Sequence, residues 1–395
     1  MTGQQFSLGV PPMKFRTKVR TKKAVVMLVF SLISVLLTPS SVTADQGTFS
    51  SQTGFGSGSL VSAGYGHSCA VLNDGSVKCW GSNSYGQLGD GTTTNRSTPT
   101  PVDLGTGVTA VAITVGYYHS CAVLNDGSVK CWGYNSYGQL GDGTTTSRST
   151  PTAVDVGTGV TAVAITVGAY HSCAVLNDGS VKCWGYNNFG QLGDGTTTSR
   201  STPTPVDLGT GMTAVAITGG LFHTCAVLND GSVKCWGYNS YGQLGDGTTT
   251  NRSTPTPVDL GTDMTAVAIT TGGYHSCAVL NDGSVKCWGS NGFGQLGDGT
   301  TTSSSTPTAV DLGTGVTAVA ITGGEHQSCA VLNDGSVKCW GYNNFGQLGD
   351  GTTTNSSTPT AVDLGTGVTA VAITTGGYHS CAVLNDGSVK CWGYN

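Results

Sequence analysis

Apolar and polar positions recur along this chain with a fixed period of 52 residues. The stretch CAVLNDGSVKCWG begins at Cys69 and returns unchanged at Cys121, Cys173, Cys225, Cys277, Cys329 and Cys381. Within one period, HSCAVL (67–72) and SVKCWG (76–81) flank Asn73-Asp74-Gly75. Both flanks suit strands, and Asn-Asp-Gly is a strong hairpin signal. The glycine-rich polar stretch 83–98 reads as a long ordered loop. TPVDL, ending at Leu104, is short and proline-bounded, which suits an edge strand. VTAVAITVG (108–116) is a continuous run of small apolar residues, as in a strand buried on both faces. Each repeat therefore holds about four strands and no helix signal. A fixed period of this size points to a propeller or a solenoid, and four strands per repeat is a propeller blade.

The expected fold is all-β: a seven-bladed β-propeller of 52-residue repeats, with hairpins at 67–81, 119–133, 171–185, 223–237, 275–289, 327–341 and 379–393. Six VTAVAIT-like strands are present, and SGSLVSAG (57–64) can serve as the seventh. Only six proline-bounded strands occur, because the chain stops at CWGYN. Thr48–Gln52 lies where the missing one would fall and is expected to complete the last blade. The alternative is a fragment ending mid-repeat.

Each hairpin admits two registers. A two-residue turn at Asp74-Gly75 pairs Cys69 with Trp80. A three-residue loop with Gly75 in the left-handed conformation sets Cys69 opposite Cys79, and we prefer it because it brings the sulfurs together. Cys69 and Cys79 then occupy a non-hydrogen-bonded pair, where the backbones are close enough for a disulfide. The same pairing is expected for Cys121 and Cys131, Cys173 and Cys183, Cys225 and Cys235, Cys277 and Cys287, Cys329 and Cys339, and Cys381 and Cys391. For a loop of this size the chain-entropy model gives at most ~2.8 kcal/mol per bridge. The rival reading is a zinc site from His67, Cys69 and Cys79. It supplies only three ligands, lacks the usual spacing, and fails where Gln327 replaces the histidine.

The first 44 residues differ in kind. A basic stretch from Met13, an apolar run (24–37) and small residues at Val42 and Ala44 form the pattern of a secretory signal peptide. The run is short for a membrane span. Domain limits are thus 1–44 for the signal peptide and 45–395 for one propeller, secreted or held at the cell surface. Six of the 17 basic residues precede Asp45 and none of the 22 acidic ones does, which leaves 11 basic against 22 acidic residues, a formal −11. So acidic a protein, without a basic cluster, is a poor ligand for nucleic acid or anionic membranes. We expect a monomer, with no membrane insertion of the mature chain.

The string GYYHSCAVLNDGSVKCWGYNSYGQLGDG, from Gly116, closely resembles the regulator of chromosome condensation repeat. The shared features are a glycine shortly before His, A-x-L-x-D-G-x-V, W-G-x-N and G-Q-L-G-x-G, across roughly residues 60–395. The resemblance implies a seven-bladed propeller. Its best-known eukaryotic members promote nucleotide exchange on a small nuclear GTPase and bind chromatin. The leader, the acidic surface and the even spacing, which leaves no room for a blade insertion, argue against that activity here. Other relatives are secreted bacterial propellers, one kind of which inhibits β-lactamases by capping them with one face.

No catalytic constellation is evident: there is no G-x-S-x-G, H-E-x-x-H or phosphate loop. We expect a non-enzyme without cofactor or metal. The Gly-Asp-Gly loops offer too few acidic ligands for a convincing calcium site. The repeated His and Trp read as blade packing, and the lysines at the Lys78 position as solvated charges.

Repeats differ mainly just before the histidine. A ring of Tyr118, Tyr170, Phe222, Tyr274, His326 and Tyr378 is expected on one face, with Tyr117, Leu221 and Glu325 beside it. Aromatic-rich patches suit protein recognition. The expected function is binding of a protein partner through this face; the alternatives are a carbohydrate-binding or surface-structural module, and an enzyme of unknown activity. SNSYG, YNNFG and SNGFG vary as well. Asn95, Asn251 and Asn355 are N-x-S/T acceptors.

Overall fold

The computed structural model describes residues 61–394. The expected signal peptide (1–44) and Thr48–Gln52 lie outside the described residues. Seven antiparallel sheets form a seven-bladed β-propeller, six of them four-stranded and one three-stranded. The second blade shows the plan. Its inner strand, Ala110–Val115, is followed by His119–Leu124, Val129–Gly133 and the outer strand Arg148–Val154. In the first blade, Val61–Ala63 fills the place of the inner strand. The last blade has three described strands, Ala370–Thr375, His379–Leu384 and Val389–Gly393.

The hairpin adopts the three-residue loop. Cys121 pairs with Cys131 and Val123 with Val129. Leu124 N–H donates to the Ser128 carbonyl at 2.9 Å. Gly127, at φ 78°, takes the left-handed conformation this turn requires. All seven cysteine pairs are joined, with Cα atoms 4.0–4.1 Å apart, and among the described residues no cysteine is free. The sulfurs are thus committed to one another and unavailable to zinc.

The core lies between blades. Side chains of a strand alternate between its two faces, and the fully buried strand His119–Leu124 feeds two cores in turn. Ala122 and Leu124 pack with Val71, Val77 and Leu88 of the first blade, while Cys121 and Val123 pack with Ile165, Leu176 and Trp184 of the third. Val61, Ala70 and Val383 form the core that joins the first blade to the last.

Three expectations need correction. The inner strand is not buried throughout. A β-bulge falls between Ala110 and Ala112, and it turns Val111 out of the sheet. Val111, Val163, Val215, Val267, Val319 and Val371 are all exposed, from 41% at Val111 to 62% at Val267. The outer strand of the first blade starts earlier than expected, at Arg96, and ends at Pro101. Its prolines fit an edge strand, where half the N–H groups have no ladder partner. The lysines are not merely solvated: Lys130 Nζ donates to the Leu104 carbonyl of the preceding blade at 2.8 Å, and Lys182, Lys234, Lys286, Lys338 and Lys390 do the equivalent.

Candidate functional site

Strand direction decides which loops share a face. Inner and third strands run one way, second and outer strands the other. The pre-histidine loops and the long Gly-Gln-Leu-Gly loops therefore emerge together. The Asn-Asp-Gly turns emerge opposite, beside the bulged valines.

Beneath the first face lies a polar layer. His67 Nε2 meets the Ser120 hydroxyl of the next blade at 2.9 Å, and Ser120 donates onward to the Gln87 carbonyl at 2.8 Å. That direction requires the imidazole to donate through Nε2. Trp132 Nε1–H donates to the same carbonyl at 2.9 Å. Each link therefore ties one blade to the next. It recurs at His119, His171, His223 and His275, and His379 closes the ring on Ser68. Burial holds the imidazoles of His67, His119, His171, His223 and His275 down to about 3. The sixth blade differs: Gln327 donates instead to the Gly376 carbonyl at 3.1 Å.

Seven glycines surround the axis. A Cβ on Gly64 would lie 2.2 Å from the Gly116 carbonyl oxygen, and the relation repeats through Gly168, Gly220, Gly272, Gly324 and Gly376 back to Gly64. Only glycine permits this approach, which explains its invariance without any appeal to a ligand.

Above this layer the expected aromatic ring forms in part. Tyr118 and Tyr170 have centroids 5.9 Å apart, Tyr170 and Phe222 6.1 Å, and Phe222 and Tyr274 6.5 Å. Burial and the neighbouring phenols push Tyr170 up to about 12. His326 and Tyr378 are reached through other rings, Phe293 at 5.0 Å and Phe345 at 5.4 Å. These partners were missed by residue in the sequence, although their segments were recognised as variable. Five blade junctions group a loop ring, a pre-histidine ring and the ring after Cys-Trp-Gly, as in Tyr85, Tyr118 and Tyr134. Ser290 stands where such a ring would be, and the belt pauses there, between Tyr274 and His326.

Tyr117, Leu221 and Glu325 lie inside the belt, around a cavity of about 90 Å³ on the axis. Tyr65 joins them, stacked on Tyr117 at 4.3 Å. Burial first, and then the facing Glu325 carboxylate, raise the Tyr117 phenol far above its ordinary range.

The Gly-Asp-Gly aspartates hold their own loops. Asp90 Oδ1 accepts from Thr92 N–H and Oγ1 and from Asn83 Nδ2, and Oδ2 takes Arg96 Nε at 2.8 Å. Burial works against ionisation of Asp90, and the bonds from Thr92 and Arg96 outweigh it, so its carboxyl stays below the usual range. Ser304 and Ser356 replace the arginine in two blades. Asn95, Asn251 and Asn355 are exposed, and each Oδ1 accepts a backbone N–H, a role taken elsewhere by Ser147, Ser199 and Ser303.

Comparison with known proteins now fits this geometry. An RCC1-like domain profile matches residues 38–268, and the regulator of chromosome condensation (RCC1) repeat matches 282–331 and 334–383. The chain belongs to the regulator of chromosome condensation repeat family. It is 33% identical over 337 residues to the ultraviolet-B receptor UVR8 of Arabidopsis thaliana, covering 85% of this chain and 76% of that one. It is 30% identical over 325 residues to the human E3 ubiquitin-protein ligase HERC2, 81% of this chain but 7% of that protein. Among solved structures, Prp20p of Saccharomyces cerevisiae aligns with a TM-score of 0.73 at 22% identity, over 82% of this chain and 81% of that one. At that identity the likeness is one of fold.

Proposed function

We propose that this RCC1-repeat propeller is an exported, non-catalytic binding module that engages a protein partner through its aromatic face. The observation that carries this reading is the belt itself: partly exposed rings, interrupted between Tyr274 and His326, on the face where near-identical repeats differ most. Tyr85, Tyr137, Tyr241, Phe293 and Phe345 keep large exposed surfaces there, and aromatic residues dominate binding hot spots. Relatives support protein binding as a class, since Prp20p was described with its binding to Gsp1p and histones. The ligase HERC2 shares only the small part of its length that this chain spans, and no catalytic role follows from it. Export is supported by the leader pattern and by seven cysteine pairs, which suit an oxidising compartment. Most neighbouring rings meet edge to face, as Tyr85 and Tyr118 do at 68°. In each such pair the edge of one ring meets the face of the other, which leaves fewer flat faces open to a stacked sugar and favours a protein partner.

The test is site-specific photocrosslinking in the native extracellular medium. A photoreactive phenylalanine at Tyr170 should capture one discrete partner, and the same group at Val215 on the opposite face should not. Combined Tyr118→Ala, Tyr170→Ala and Phe222→Ala substitutions should abolish capture. Equal capture from both faces, or glycan-array binding that depends on the same rings, would overturn the reading.

A further inference from the structure

Glu325 is the chain's sole glutamate, and it stands on the axis. Its counterparts in the other repeats are Tyr65, Tyr117, Ala169, Leu221, Gly273 and Gly377, none of them charged. The side chain is only 14% exposed, and its Oε2 is fully buried with no hydrogen-bond partner. Among the described residues no lysine or arginine pairs with it. The one cationic candidate is His326, whose Nε2 lies 3.8 Å from Oε1; burial lowers that imidazole and favours its neutral form. The Tyr117 hydroxyl donates to this carboxylate, yet its charge has no cationic partner fixed beside it, and burying such a charge is costly unless a counter-charge arrives. Around it stand phenol rings, Tyr65 and Tyr117 on the cavity wall and Tyr118 and Tyr378 beside Tyr65. Phenol faces attract cations. The cavity of about 90 Å³ fits a small head group. In the same repeat, Gln327 has replaced the interblade histidine, so three consecutive residues depart from the pattern at this one place.

We propose that the axial cavity is a binding site for an organic cation, a primary ammonium or guanidinium group, held by the Glu325 carboxylate and the surrounding phenols. Such a head group has two sources, a free amine or a lysine or arginine side chain of a protein seated on the aromatic face. The cavity and its charge are independent of the protein-binding reading.

The full oxidised chain, labelled with 3-fluorotyrosine, would be titrated with n-butylammonium chloride and followed by ¹⁹F resonance, with sodium chloride at equal ionic strength as the control. A saturable shift of the Tyr65 and Tyr117 signals in the millimolar range is expected, weakened about tenfold or more by Glu325→Gln. Glu325→Asp, which keeps the charge, should retain saturable binding. It guards against a Gln variant that fails to fold. No saturation beyond the salt control, or identical titrations of the wild type and Glu325→Gln, would overturn the proposal. The crosslinking assay separates the two ideas. A partner captured equally by Glu325→Gln, together with no butylammonium binding, sinks the cation site and leaves the aromatic face standing. Competition between butylammonium and the partner assigns the cation to the partner's side chain; binding without competition assigns it to a free amine.

Discussion

On one face of the ring the loops carry Tyr118, Tyr170, Phe222 and their partners; on the other they carry seven Asn-Asp-Gly turns and six bulged valines. The turn face hardly varies. Asp126 Oδ1 accepts Ser128 N–H at 2.9 Å and its hydroxyl at 2.6 Å, and Gly127 must be glycine for its φ of 78°. Local backbone chemistry commits nearly every residue there. The aromatic face has two levels. Its lower level of His, Ser, Trp and the Gln carbonyl is nearly as constant as the turns, departing only at Thr224 and Gln327, because it fastens blade to blade. The side chains above it change most. Variation is therefore concentrated where the fold makes no demand, which is why this face is the one to test for binding.

Acid should separate the faces most sharply. The five imidazoles held down to about 3 by burial remain neutral in the folded chain, whereas unfolded histidine titrates near 6.5. Above about pH 6.5 their contribution to stability is complete. As pH falls from there toward 3, the unfolded chain binds protons that the folded chain refuses, and stability is lost. The slope is about 1.4 kcal/mol per pH unit for each histidine, so roughly 7 kcal/mol per unit for five. The turn carboxylates lose their contribution in the same direction, but only at lower pH. Hydrogen bonds from Ser128 hold Asp126 below its usual range, so it stays ionised to lower pH. Hydrogen exchange between about pH 6 and 4 should accelerate first in the pre-histidine loops and their Gln-Leu partners. Faster exchange in the Asn-Asp-Gly turns would break the comparison.

A steric contrast comes next in size. Gly168→Ala places a Cβ 2.2 Å from His171 Cε1 and 2.3 Å from the Gly220 carbonyl oxygen. Overpacking of this kind costs about 1–3 kcal/mol, and thermal unfolding should shift downward accordingly. Gly292 lies in the variable loop on the same side, with nothing within 4 Å of an added Cβ. Gly292→Ala should be neutral or stabilising by up to about 1 kcal/mol. Equal melting shifts would show that the axial glycines are not held by packing.

Much of the hairpin and turn face was legible in the sequence, and the reasons are physical. Asn-Asp-Gly between two cysteines leaves few registers, and the preferred one, with Cys121 opposite Cys131, is the one observed. The Val111 bulge was not legible, because VTAVAIT reads equally well as an unbroken buried strand, and pairing with Leu124 and Val123 alone reveals the extra residue. The lysines misled for a similar reason: Lys130 finds Leu104 only after two blades are side by side. The aromatic belt was half visible. Tyr118 and its repeats were found by comparing copies, but Tyr85 joins them across a blade boundary, a contact that sequence periodicity does not contain.

Smaller effects weigh single hydrogen bonds on each side. Trp184→Phe removes the donor to the Gln139 carbonyl, which keeps Ser172 as a partner. A loss of about 1–2 kcal/mol in urea unfolding is expected. Asp178→Ala, in an exposed turn, loses its bonds to Ser180 and should cost under about 1 kcal/mol. If the turn substitution proved the more damaging, the tie between blades would matter less than the hairpins within them.

The disulfides lie midway between the faces, and here the last blade stands apart from the rest. Both cysteines of the first six pairs are fully buried, so a reductant meets them only after the blades part. In the last pair Cys381 is buried and Cys391 is exposed. Thiol exchange requires access to a sulfur. Limiting reductant followed by alkylation and peptide mapping should therefore label Cys381 and Cys391 first, with little change in melting temperature, since a bridge across so short a loop contributes at most ~2.8 kcal/mol to one blade. Uniform labelling of all seven pairs would mean that the interblade cores open together under native conditions, and that the His–Ser links beneath the aromatic face do not hold them shut.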